Sequence, residues 1–166
     1  MLLIRPEQRG DAPAIFRVHR MAFPTTAEAR LVDALRAGGH LSISLVAQED
    51  EMIVGHVAMS PVTVAGARAG LGLGPVAVVP ERQQRGIGHR LISQGLAVAR
   101  GLGMGLVVVL GKPAYYGRFG FKPAAEFGLT DEYGGGQAFQ VLELRPGAVP
   151  RGAGLVQYAA EFALVA

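Results

Sequence analysis

The spacing of apolar positions changes several times along the chain, and each change marks an element. Leu2 to Arg5 reads as a short strand, and Asp11 ahead of Ala12-Pro13 has the form of a helix N-cap with proline in the first turn. Ile15, Val18 and Ala22 then recur at helical spacing, with His19 beside them, and predict a helix to about Phe23. A second helix begins after Thr25-Thr26, carries Leu31, Val32 and Leu35 inward, and stops at Gly38-Gly39. The β-rich runs Ser42–Ala47 and Met52–Val64 flank the acidic turn Gln48-Glu49-Asp50-Glu51 and predict a hairpin. Gly66 turns the chain into a further strand, Leu71–Val79. Pro75 inside that strand cannot donate a ladder hydrogen bond, so pairing must be interrupted there.

After Pro80 comes the polar loop Glu81-Arg82-Gln83-Gln84-Arg85-Gly86, then a helix whose expected inner face is Ile87, Leu91, Gly95, Val98 and Leu102. Leu106–Leu110 is an uninterrupted apolar strand. Strand, loop, helix and strand in this order form a βαβ unit with a parallel pair, and ligands bind at the carboxyl ends of such strands. A short helix is expected around Ala114–Phe119, ended by Gly120, with later strands near Phe139–Leu144 and Leu155–Phe162 beyond the Gly134-Gly135-Gly136 loop. The apolar end Leu155–Ala166 reads as a buried strand, with a homodimer interface as the alternative. No compositional break or repeat divides the chain, so residues 1–166 are read as one domain.

Composition narrows the class. The 166 residues are 50% hydrophobic and 17% charged, enough apolar material for an α/β core. The 24 glycines fall in clusters between apolar runs rather than at a fixed period, which excludes a collagen-like or linker sequence. A net charge of +3 gives no reason to expect nucleic acid. Arg82, Arg85 and Arg90 nevertheless crowd one segment, which suggests a local anion site, a solvated helix end being the alternative. With no cysteine, disulfides, thiolate-bound zinc and a cysteine nucleophile are excluded, and the cytoplasm is the expected compartment. No basic leader precedes an apolar stretch, and no run approaches the ~18 apolar residues of a membrane helix, so no membrane association is expected. His19, His40, His56 and His89 lack shared-face spacing, and no metal is expected.

The chemistry concentrates between Val76 and Gly88. Here a loop follows a strand and opens a helix, so unpaired amides converge at the positive end of the helix dipole. Gly86 and Gly88 let a bulky anion approach the backbone, and Arg85 can add a charge-assisted contact, a solvated arginine being the alternative. A dinucleotide fingerprint fits poorly: Gly86-Ile87-Gly88-His89-Arg90-Leu91 has Leu in place of the third glycine, and Leu106–Leu110 runs into Gly111-Lys112 without an acidic residue. Gly72-Leu73-Gly74-Pro75-Val76-Ala77 matches formally but enters a strand. Gly105 to Pro113 has the wrong spacing for a P-loop, with Pro where the magnesium-binding hydroxyl belongs.

Gln83-Gln84-Arg85-Gly86-Ile87-Gly88 resembles the Gln/Arg-x-x-Gly-x-Gly/Ala signature of the GNAT acetyltransferase superfamily. Downstream, Tyr115-Tyr116-Gly117-Arg118-Phe119-Gly120-Phe121 is similar to the Tyr-x-x-x-Gly-Phe element that follows the fifth strand there. The order of elements from Leu2 to Phe121 also fits. Leu73–Phe121 resembles most closely a bacterial group of predicted N-acetyltransferases carrying the same Tyr-Tyr-Gly-Arg-Phe-Gly-Phe run. The resemblance implies a mixed, mostly antiparallel sheet with one parallel, splayed pair, flanked by helices. It also implies that acetyl-coenzyme A (acetyl-CoA) is the co-substrate. The Val76, Ala77 and Val78 backbone would hold the pantetheine arm. Gln83, Gln84, Arg85, Gly86, Ile87, Gly88 and His89 would form the pyrophosphate site. One departure stands out: Val109 occupies a position where many members carry Asn.

The implied reaction is transfer of acetyl directly to the amine of a small molecule or peptide. The amide of Val76 or Val78 is the implied donor to the oxyanion. Tyr116 is the implied catalytic residue facing the departing sulfur, with packing as its alternative role and Tyr115 as the expected core tyrosine. A lysine-like acceptor would also need a base, because only about one in 2,500 molecules is neutral at pH 7. His56 on its strand is a weak candidate, more often structural, and Glu28, Glu81 and Glu132 are weaker still. A non-catalytic coenzyme A (CoA)-binding sensor domain is the alternative function.

Overall fold

The computed structural model describes residues 1–149, 152 and 154–166. Among these, nine strands join in one mixed sheet: β1 (Leu2–Pro6), β2 (Ile43–Glu49), β3 (Met52–Val64), β4 (Ala67–Val78), β5 (Leu106–Leu110), β6 (Lys122–Pro123), β7 (Leu129–Asp131), β8 (Phe139–Glu143) and β9 (Gly154–Gln157). The main order is β1-β2-β3-β4-β5-β8-β6, with β7 and β9 attached at the end of β3. Antiparallel pairing dominates and β4–β5 is the expected parallel pair, while the parallel contact of β7 with β9 was not foreseen. The helices are α1 (Ala12–Ala22), α2 (Ala27–Ala37), α3 (Ile87–Gly101) and α4 (Pro113–Tyr116).

β3 reads as continuously apolar because both of its faces are covered. Every residue from Ile53 to Ser60 is buried. Gly55 and Gly95 mark the face toward α3: a Cβ on Gly55 would meet Leu91, and one on Gly95 would meet Met59. The alternate residue His56 points the other way and bonds His19 on α1. A helix on each side therefore removes the polar alternation that a one-sided sheet would show.

Three expectations are corrected. Asp11 precedes α1 as predicted, but its backbone is helical and its carboxylate caps nothing; it binds Arg5 at 2.8 Å and the Gln8 amide at 2.6 Å. The buried face of α3 is Ile87, Leu91, Ile92, Gly95, Leu96 and Ala99, while Leu102 is 56% exposed because the helix ends at Gly101 before it. The run Leu155–Phe162 is not one strand: β9 ends at Gln157, and a 3-10 turn over Ala160–Leu164 follows. That turn is tied to the end of α2 by Glu161, which accepts from His40 Nδ1 at 2.7 Å.

Candidate active site

The parallel pairing of β4 with β5 is confined to Leu71–Val107 and Gly72–Val108, and beyond it the two strands part. On the other side of β4, β3 advances two residues from Val57 to Met59 while β4 covers three from Val76 to Leu73. This extra residue lies at Gly74-Pro75, where the proline cannot donate. Val79 N donates to Val54 O at 2.9 Å, so Val54–Val79 and His56–Ala77 are the hydrogen-bonded pairs of this ladder. The N–H and C=O groups of Val76 and Val78 therefore turn away from β3, into the gap beside β5. Ala77 bonds back to β3, and its side chain is buried.

At the end of the gap the chain makes a 3-10 turn over Pro80–Arg82 and enters α3 through Gly86, whose φ of 80° suits glycine. Gln84 also lies in the left-handed region, at φ 63°. Together they fold the loop over the first turn of α3. The result is a cavity of about 450 Å³ lined by Val78, Gln83, Gln84, Gly86, Gly88 and His89, with Arg82, Ile87, Tyr115 and Arg118 completing it. The Gln83 side chain donates to Val78 O at 2.9 Å and closes the loop onto the strand. Arg85 is exposed and is not among the lining residues. The cation in its place is Arg118, stacked 4.4 Å over the Tyr115 ring. Arg82 also borders the cavity but is paired with Glu49 at 2.8 Å.

Tyr115, expected in the core, is the less buried of the two tyrosines. Tyr115 lines the loop cavity, and a Cβ on Gly88 would lie 3.6 Å from its hydroxyl. Tyr116 is the more deeply buried of the two, edge-on to Tyr115 at 5.0 Å and to Phe121 at 5.8 Å. Burial, with Tyr115 beside it, pushes its phenol up to about 12. Its ring crosses Gly111, where any Cβ would collide with it. That corner is held by Gln140, whose amide donates to Gly111 O at 3.2 Å and to Ala138 O at 3.3 Å. Gln140 stands opposite buried Val109 on β8, so a neighbouring strand supplies the polar side chain that β5 lacks.

Val76 and Tyr116 also border a second cavity, of about 430 Å³, on the far side of the gap from the loop. Leu73 and Pro75 form its floor, and Phe23, Glu28 and Leu31 descend from α1, α2 and their connection. Tyr133, Tyr158, Phe162, Val165 and Ala166 belong to the same lining. The Tyr158 ring rests on β4 at Gly72, where a Cβ would come within 3.0 Å of it.

A family model of the acetyltransferase (GNAT) domain matches residues 3–124. The chain belongs to the GNAT acetyltransferase family. Its GNAT relatives include YhbS of Escherichia coli K12, an uncharacterized N-acetyltransferase 41% identical over 164 residues, or 97% of this chain and 98% of that protein. YjhQ of the same strain, likewise uncharacterized, is 37% identical over 122 residues, 70% of this chain and 67% of that one. Two solved GNAT structures are close in fold. The E. coli YhbS structure in complex with CoA superposes with a TM-score of 0.94 at 40% identity, over 98% of this chain and 92% of that one. A GNAT acetyltransferase from Brucella melitensis in complex with acetyl-CoA gives 0.82 at 43% identity, over 98% of both.

Within this GNAT frame, most of the expected cofactor residues line or border one gap, and Arg85 does not. His56 is fully buried and structural. Ser44 Oγ donates to the Glu7 carboxylate at 2.6 Å, so it accepts from His56 Nε2 at 2.8 Å. His56 Nδ1 then accepts from His19 Nε2 at 2.8 Å, and Arg36 closes the chain on Glu7 at 2.8 Å. Burial pushes His19 down to about 4 and His56 down as well, so both stay neutral. Sequence reasoning quoted Arg118 only within the tyrosine run, gave Tyr158 and Phe162 no site role, and ranked Glu28 with ordinary surface carboxylates. No signal short of the tertiary fold brings those residues together. Among the described residues, no group of three His, Cys, Asp or Glu could hold a metal, and no helix is long and apolar enough to cross a membrane.

Proposed function

We propose that the chain, acting as one domain, is a cytoplasmic enzyme that transfers acetyl from acetyl-CoA directly to a primary amine bound in the second cavity. The observation carrying this reading is the splayed β4–β5 gap. It borders an amide-lined loop at one end and a cavity containing Tyr116 at the other. Acetyl-CoA supplies the activated thioester carbonyl. The amides from Gln84 to His89 and the start of α3 suit its pyrophosphate, with Arg118 on the rim in the part first given to Arg85. The free groups of Val76 and Val78 suit the amides of its pantetheine arm, with Val78 O already engaged by Gln83.

Holding amine and thioester together in this gap supplies roughly 7–11 kcal/mol of the barrier reduction. The Val76 N–H is the donor available to the carbonyl oxygen as charge develops on it. The neutral amine, its extra proton lost to solvent, attacks the thioester carbonyl; the amide bond forms as the C–S bond breaks, the sulfur leaves as thiolate, and the surplus proton on nitrogen passes to water. Tyr116, with its phenol near 12, is a poorer acid than a thiol near ~8.5; full proton transfer would be uphill by about 5 kcal/mol. Tyr116 therefore stays protonated and stabilises the leaving sulfur by donating a hydrogen bond.

Tyr116→Phe is expected to lower kcat at least about tenfold while acetyl-CoA still raises the melting temperature as in the wild type. Unchanged turnover would remove Tyr116 from the reaction. Thermal stabilisation by acetyl-CoA without thiol release from any amine would favour the sensor reading. No stabilisation at all would end both readings.

A further inference from the structure

The second cavity has a selective chemistry of its own. Glu28 is the one charged side chain among its described lining residues. Its Oε1 is shielded from solvent and has no hydrogen-bond partner among the described residues. A carboxylate oxygen so placed is costly until a cationic donor meets it. The Tyr158 hydroxyl in the same lining is also buried and unpartnered. Burial, with Asp131, Glu132 and Tyr133 nearby, raises its phenol and keeps it a neutral donor. Around these two atoms the wall is aromatic: Tyr158 lies 5.9 Å from Tyr133 and 5.1 Å from Phe162, with Phe23 and Leu31 on the helical side.

We propose that the acceptor is a small monocationic primary amine on an apolar body about the size of an aromatic ring, and that Glu28 selects it. This rests on the acetyl-transfer reading. A cavity of about 430 Å³ takes a small molecule whole. One half-buried carboxylate, with its Oε1 shielded and unpartnered among the described residues, matches one ammonium group. A polyamine or an aminoglycoside would bring further cations against Phe23, Leu31, Leu73 and Val76, which offer no charge to meet them, and a free amino acid would set its own carboxylate against Glu28. The hydroxyl of Tyr158 meets a polar substituent on the ring or the ammonium itself. Glu28 binds the acceptor as the arriving ammonium, which gives up one proton to solvent before its nitrogen attacks, so the contribution of Glu28 falls on KM rather than on kcat.

The test compares 2-phenylethylamine, spermidine, phenylalanine and 2-phenylethanol in a thiol-release assay with acetyl-CoA. 2-Phenylethylamine is expected to exceed spermidine and phenylalanine in kcat/KM by at least about tenfold. Glu28→Gln is expected to raise its KM about tenfold with kcat within about twofold. The same variant should leave inhibition by the uncharged 2-phenylethanol within about twofold of wild type, and Glu28→Asp should restore part of the lost affinity. Preference for spermidine or phenylalanine, or an unchanged KM in Glu28→Gln, overturns the proposal. In the wild type alone, equal affinity for 2-phenylethylamine and 2-phenylethanol overturns it as well, so a variant that fails to fold does not shelter it. Turnover of spermidine instead defeats only the acceptor proposal, whereas a protein that acetyl-CoA does not stabilise defeats the transferase reading.

Discussion

The two cavities that meet at the β4–β5 gap are built in opposite ways. The loop cavity is lined by one continuous stretch, Val78 to His89, and among the described residues only Tyr115 and Arg118 come from elsewhere. The second cavity is gathered from the α1–α2 region, β4, β5, α4 and the segments around Tyr133, Tyr158 and Phe162. A ligand recognised by amides needs a fixed local conformation. One recognised by side chains needs a tertiary fold, and its site can be altered residue by residue without unmaking the backbone that holds the other ligand.

Acidification tests the second cavity's support most strongly. Its Phe23 stacks on His19 with centroids 6.0 Å apart, and His19 rests on His56. The fold holds both histidines neutral, whereas the unfolded chain takes up protons near pH 6.5. Between that pH and about 4 the unfolded state binds more protons, so stability is full above 6.5 and falls as pH drops toward 4. His19 alone accounts for a loss on the order of 3 kcal/mol, measurable by denaturant unfolding at pH 7 and pH 4. Asp11, paired with Arg5, and Glu7, whose burial is outweighed by Arg36 and Ser44, add losses only at the lower end of that range. His19→Leu should flatten the slope between pH 6.5 and 4.5.

Gly86→Val attacks the loop cavity through its backbone, since φ of 80° is poorly open to a β-branched residue. Acetyl-CoA affinity should fall about 50-fold by calorimetry while the second cavity keeps its geometry. Gly72→Ala makes the reverse change by shifting the Tyr158 ring and Val62, which a Cβ there would crowd at 3.0–3.1 Å. It should raise the acceptor KM about tenfold and leave acetyl-CoA affinity within about twofold. Arg118→Ala should weaken acetyl-CoA binding by about threefold to fivefold, and less at high salt, because this arginine is exposed. If Gly86→Val and Gly72→Ala each disturbed both ligands equally, the division between the cavities would fail.

The same contrast accounts for what could be read from the sequence. The strand, loop and helix around Gly86 follow from local rules of glycine, proline and apolar period, and Pro75 alone announced where pairing would break. Arg85 was named because it lies within the loop motif, but the packing of Tyr115 under Arg118 decides which guanidinium reaches the cavity, and that packing is tertiary. The inner face of α3 was shifted because Leu102 continues the apolar period past the end of the helix. In the C-terminal third, β9 pairs with both β3 and β7, and no local pattern announces so short a strand with two distant partners. Glu28 looks like any carboxylate in the first turn of a surface helix until the rings of Tyr158 and Phe162 are brought opposite it.

The chain of bonds from His19 through His56 and Ser44 to Glu7 and Arg36 has a direction: each member donates toward the carboxylate. Its polarity is fixed at one end by a charge pair at the rim and carried inward by two tautomers that have no freedom to reverse. Replacing one link strands the next donor or acceptor inside the protein, so single substitutions along it are penalised and compensated ones must arrive together. Across descendants of this chain, these five positions should drift as a linked set, and they would vary far more slowly than the aromatic wall that faces the acceptor.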